Sequence, residues 1–236
     1  MAPRQVPKDS PDPGELDVMH DGAPRRFVFV LLENFTLLSF AAAIDCLRIA
    51  NRMAGQDVYT WVTTCESGDT VSCSAGTRFT VDMGLDELQR DDVVLLCGGT
   101  DVQVTATRKM LSWLRREARR GLRMGGLCTA SYVLAKAGLL DGKKATIHWE
   151  NHDSFTEEFD EVELTKSVFV VDGNRMSTAG GTSSVDLMLK LVADDHGEKL
   201  ANAVADQMIY ASIRTDQDTQ RLSVPTRIGV RPPQLS

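Results

Sequence analysis

Apolar residues fall in two spacings along this chain. Short solid runs, RFVFVLL (26–32) and VVLLCGG (93–99), read as strands covered on both faces, because they spare almost no position for solvent. VYTWVTT (58–64) alternates as a strand does, and RMGGLC (123–128) reads as a strand entering a turn. KATIHW, EVELTK, VFVVDG and RMSTAGG add short strand candidates. Between them the spacing is helical. Ser39 fits an N-cap ahead of Phe40, Ala43, Ile44 and Leu47, with Gly55 as the stop. A basic amphipathic helix is predicted over roughly 105–120, with Met110, Leu111, Leu114 and Ala118 inward. TASYVLAKAG (129–138) is predicted helical, with Gly138 as its cap. Two helices close the pattern. The first (183–196) has Ser183 and Asp186 at capping-box spacing, and the second (198–213) carries Leu200, Val204 and Met208 on one face. This alternation predicts α/β architecture: a doubly wound, mostly parallel sheet with helices on both faces.

Proline sets the limits of that pattern. Five of the eight prolines lie in residues 1–24, beside five acids and two bases, and the others are Pro225, Pro232 and Pro233. The expected organisation is a disordered acidic, proline-rich tail over 1–24, a folded body over 25–214 and a linker over 215–236. With 236 residues, 42% of them hydrophobic, the chain can bury a real core. No apolar run approaches the roughly 20 residues that span a bilayer. The N-terminal stretch lacks the apolar centre of a secretory signal, so a cytoplasmic protein without a membrane partner is expected. Five scattered cysteines with no CxxC pair point away from a zinc site or a disulfide framework. A net charge of −7 argues against a bare nucleic-acid-binding surface.

Parallel α/β sheets bind ligands at the carboxyl ends of their strands. Three loops are expected there: LLENFTLLS, Gly98-Gly99-Thr100, and Gly126-Leu127-Cys128-Thr129-Ala130. The third has the spacing of a nucleophile elbow, with small residues two before and two after Cys128. Backbone N–H groups of Thr129 and Gly99 would serve as oxyanion donors, and the following helix is expected to lower the thiol pKa. His148 is placed to act as a base. The same residues equally suit a small buried cysteine in a glycine-rich turn and a structural histidine. His148 and His152 are four apart but lack the rest of a helical metal motif, so no metal is expected. AGGTSSVD (179–186) reads as a tight turn capped by Thr182 or Ser183 in preference to an anion site.

LCGGT, GLCTASYVLAKAGLLDGKKATIHWE and STAGGTSSVDLMLKLVADDHG occur in an order that resembles the PfpI-like branch of the class I glutamine amidotransferase-like superfamily. That resemblance, over 26–235, implies a flavodoxin-like fold. LLENFTLLSFAAAIDCLRIANR, ATIHWE and the stretch from HGEKLANAV to GVRPPQL are further similar to the N-terminal domain of GlxA-type AraC-family transcriptional regulators. The resemblance implies a dimerising, effector-binding domain without a cofactor. Its effector would be a small nitrogenous metabolite such as a betaine, carnitine or an amino acid. DNA would be contacted only through a helix-turn-helix domain missing from this chain, reached through GVRPPQL. Catalytic members carry a carboxylate on the first helix where, aligned through Asp45, Ser39 stands here, and PfpI-type proteases a histidine where Thr129 stands. Cys128 and His148 therefore read as vestigial. The expected ligand-binding set is Glu33, Ser39, Gly98, Gly99, Cys128, Thr129, His148 and Trp149, the last offering a cation–π face. Two readings stay open beside this one. One is a cysteine-dependent hydrolase, hydratase or glyoxalase-like enzyme using Cys128, with Glu33 or Glu150 as the acid. The other is a redox sensor at Cys128.

Overall fold

A computed structural model describes residues 22–220; the expected tail up to residue 21 and the linker from 221 onward, GVRPPQL included, lie outside the described residues. The strands are β1 (Arg25–Leu31), β2 (Tyr59–Thr64), β3 (Thr70–Ser72), β4 (Arg78–Thr80), β5 (Val93–Cys97), β6 (Arg123–Leu127), β7 (Lys144–Ala145), β8 (Glu163–Leu164), β9 (Phe169–Asp172) and β10 (Arg175–Thr178). The helices are α1 (Leu37–Ala54), α2 (Val102–Thr105), α3 (Arg108–Arg119), α4 (Ser131–Lys136), α5 (His152–Glu158), α6 (Ser183–His196) and α7 (Glu198–Gln207). Six strands form one sheet in the order β2-β1-β5-β6-β10-β9, parallel throughout except for β9 at the edge. β1 shows why its run is solidly apolar. Phe27, Phe29 and Leu31 pack with α1, α6 and α7, while Val28, Val30 and Leu32 pack with α3 and α4. The sheet is thus doubly wound, with a core on each face. No helix of the described residues is long and apolar enough to cross a membrane.

Several boundaries differ from the sequence reading. Helix α1 begins after Thr36, which leaves Ser39 buried inside the first turn and not at the cap. The helix predicted near 105–120 is α3, which starts at Arg108 because the Thr107 hydroxyl accepts from Met110 N–H and caps it; the one-turn α2 before it was not predicted. KATIHW and EVELTK contribute only the two-residue pair β7–β8. The hairpin β3–β4 had no periodic signal in the sequence. Ser183 and Asp186 do not form a capping box. The cap position is Thr182, without a side-chain cap bond, and the Asp186 carboxylate accepts from Tyr210 Oη and Arg214 instead.

Helix α7 ends six residues before the predicted 213. Ile209 N–H bonds Asp206 O and Tyr210 N–H bonds Ala205 O, the two bonds of a Schellman ending, with Ile209 at φ 56°. Helix α4 ends in the same bond pattern at Gly138, as predicted, where glycine takes φ 71° without strain. From Ile209 the chain returns as a strap over 210–220. Val168 N–H bonds Asp218 O and Gln220 N–H bonds Lys166 O, so the first part of the expected linker lies against the body.

Candidate functional site

The elbow forms as its spacing predicts. β6 runs into Cys128, which takes φ 63°, a left-handed conformation costly for a residue with a Cβ. The sharp turn tolerates only glycine at 126, where a Cβ would sit 2.6 Å from Ser131 N. Gly99 is pressed on the Asn34 carbonyl, where a Cβ would come within 1.9 Å. These contacts bring all three loops expected at the carboxyl end of the sheet together.

The thiol's surroundings favour its protonated form. Cys128 is 6% exposed, and burial raises its pKa. The Thr36 hydroxyl at 3.7 Å and the Thr129 N–H oppose that shift, while the Glu150 charge adds to it. The expected lowering by the following helix is therefore overturned, because Cys128 sits in a three-residue 3-10 turn leading into a six-residue α4, and desolvation dominates. The partners of the thiol are Thr36 and Thr129. His148 turns to Glu150 instead, with Nδ1 3.6 Å from Oε2 and accepting from Glu150 N–H at 3.5 Å.

A cavity of about 380 Å³ opens over Cys128. Of the expected set it brings together Gly99, Cys128, Thr129 and His148. Thr36 and Thr100 lie in loops expected at the site, though not singled out; sequence reasoning missed Asp101, Val102, Gln103 and Asn151, and had Glu150 only as a substitute acid. Asp101 had a usable signal, since Asp tolerates the left-handed backbone it adopts at φ 54° just before α2. Among the described residues the wall holds two carboxylates, Asp101 and Glu150, and no lysine or arginine.

The other four expected residues lie elsewhere. Glu33 lines a neighbouring cavity of about 400 Å³ together with Glu66 and Lys109, where its carboxylate accepts from Ser72 N–H. Ser39 supports the floor from behind, accepting a 2.8 Å bond from Gly181 N–H. Gly98 backs on Ala130. Trp149 stands 43% exposed beside the His148 ring, with centroids 5.6 Å apart, and does not line the wall. In the AGGTSSVD turn the N–H groups of Gly180, Gly181 and Ser183 all bond within the protein, as the tight-turn reading expects.

This geometry has relatives. The HTH-type transcriptional regulator GbdR of Pseudomonas aeruginosa is 40% identical over 212 residues, 90% of this chain and 58% of that protein. The HTH-type transcriptional regulator GlxA of Rhizobium meliloti is 34% identical over 216 residues, 89% of this chain and 65% of that protein. This chain thus spans less than two thirds of either. A crystal structure of an AraC family transcriptional regulator from Pseudomonas putida superposes with TM-score 0.70 at 30% identity, covering 78% of this chain and all of that one. Residues 25–194, from the first strand through most of α6, match the model of the DJ-1/PfpI family, and the chain belongs to that family.

Proposed function

We propose that this chain is the effector-sensing part of a DNA-binding transcriptional regulator. Its cavity takes a small nitrogenous cation or zwitterion of the betaine, carnitine or amino-acid class. The observation that carries the reading is the cavity wall: two carboxylates, no lysine or arginine among the described residues, and a thiol that burial keeps protonated. Such a wall attracts an ammonium group and leaves Cys128 a poor nucleophile at neutral pH. The regulator names of the relatives support the same reading. An effector acts here by binding one of two arrangements of the protein more tightly, and DNA contact belongs to a separate helix-turn-helix part. Two copies of the chain pair to address two half-sites.

The test is a thermal-shift screen of betaines, carnitine, amino acids and polyamines, repeated after alkylation of Cys128. A compound that binds only the folded state raises the melting temperature by mass action, and the adduct abolishes the shift. No shift with any compound removes the reading. The elbow geometry itself favours a second one, a Cys128-dependent hydrolase, which requires turnover that Cys128→Ala loses.

A further inference from the structure

The strap from Ile209 to Gln220 touches the back of the cavity at two separate places. At its far end, Gln220 Nε2 donates to Ile147 O and Thr146 Oγ1, both at 2.9 Å, and lies 3.2 Å from His152 Nε2. Ile147 immediately precedes His148 in the wall. At its near end, Arg214 binds the fully buried Asp186 carboxylate through its backbone N–H and its guanidinium, and Arg214 also reaches Thr182 Oγ1 at 2.9 Å. Thr182 ends the turn whose Gly180 is packed on Cys128, where even a Cβ would lie 2.6 Å from the Cys128 Cβ. Each contact is therefore one residue or one turn removed from the cavity.

The docked strap also carries two defects. Ile209 is a β-branched residue held at φ 56° and 91% exposed, so little packing repays its strain. The Gln220 Oε1 is buried without a hydrogen-bond partner among the described residues, although the amide nitrogen beside it is fully used. Polar bonds, with Tyr210 packed on the core, hold this segment, and backbone strain and an orphaned acceptor oppose them.

We infer that this strap relays occupancy of the Cys128 cavity to the chain that continues past Gln220. The inference rests on the sensor reading and adds its route. A group filling the cavity displaces the His148 turn and the Gly180 turn. It thereby weakens the acceptors that hold Gln220 and the turn that holds Arg214, and the strap releases.

The test uses the full chain and iodoacetamide, which fills the cavity by alkylating Cys128, with the adduct placed by peptide mass. Hydrogen exchange is followed at the Val168 and Gln220 amides, whose bonds pin the strap. Alkylation is expected to speed exchange at both by about fivefold or more, the lower range of ordinary coupling between sites. In the reverse direction, Gln220→Ala is expected to raise the alkylation of Cys128 by a similar factor, under slow-reagent conditions that read the open population. If that variant does not fold, Gln220→Glu sets a carboxylate oxygen against Ile147 O and serves the same purpose. Alkylated Cys128 with unchanged exchange at both amides overturns the proposal. A Gln220 variant that melts lower but leaves Cys128 alkylation unchanged marks a packing role only, and overturns it too. Neither arm uses a metabolite, so an unsuccessful ligand screen would remove the sensor reading while leaving the relay readable.

Discussion

The elbow around Cys128 and the strap that ends at Gln220 both hold a non-glycine residue in the left-handed backbone region, and they do so by opposite means. At the elbow, Cys128 faces the cavity on one side and is otherwise held by close backbone packing, with Gly126 and Gly180 admitting no extra atom and Gly99 fixing the neighbouring loop. At the strap, Ile209 is exposed and the segment after it is tied by hydrogen bonds and one ion pair. The difference teaches which parts of the scaffold are free to move. The turn that carries Cys128 is over-determined by close packing. The strap packs Tyr210 on the core but is otherwise held mainly by polar bonds, and movement can be built there.

Four outcomes would sharpen or break this contrast. The largest effect is expected at the elbow: Gly99→Ala forces a Cβ against the Asn34 carbonyl and should cost at least about 3 kcal/mol, or the fold itself, in urea denaturation. A cost below about 1 kcal/mol would mean the loops can separate.

Arg214→Ala leaves the buried Asp186 with Tyr210 as its remaining side-chain partner. Since the arginine head is about a third exposed, the expected loss at pH 7 is about 2 kcal/mol, below the full range for a buried pair. Burial already raises the Asp186 pKa, and losing Arg214 raises it further. A carboxyl with a raised folded pKa holds its proton more tightly when folded than when unfolded, so the penalty grows as pH rises above the unfolded value of about 3.9. The loss should therefore be smaller at pH 4 than at pH 7, and a pH-independent loss would show that Asp186 is not the cause.

Ile209→Gly should stabilise the chain by about 1 kcal/mol in the same assay, because glycine takes φ 56° freely. Destabilisation would show that the exposed side chain has an unrecognised contact. The smallest effect concerns the thiol. Its alkylation rate should rise only at a pH above that of an ordinary cysteine, since burial raises its pKa. Thr36→Val, which removes a hydrogen bond to the sulfur, should move that profile further to alkaline pH. A midpoint below the ordinary thiol value would restore the nucleophile reading.

The same contrast explains what the sequence disclosed. RFVFVLL and VVLLCGG are legible because burial on both faces leaves an unbroken apolar run, and GLCTA because its glycine and alanine are demanded by close backbone contacts within a few residues. The helix cap at Thr36 was missed because Ser39 has the better capping chemistry. Ser39 is needed instead for a bond to Gly181, 142 residues away. Glu33 and Trp149 were assigned to the cavity by loop proximity, yet α2 stands between Glu33 and Cys128, and Trp149 faces outward. The strap was read as the end of a helix and the start of a linker. Its structure depends on Asp186, Thr146 and Lys166, partners that no local pattern announces.

The account turns on whether the Cys128 cavity holds a metabolite or transforms one. Proton NMR of the chain mixed with glycine betaine, carnitine and arginine reads both at once, through saturation transfer to bound ligand and through the signals of any product. The account predicts saturable transfer to at least one of these compounds, lost on alkylation of Cys128, with every compound recovered unchanged. Steady consumption of a compound by the chain, absent with Cys128→Ala, would contradict it.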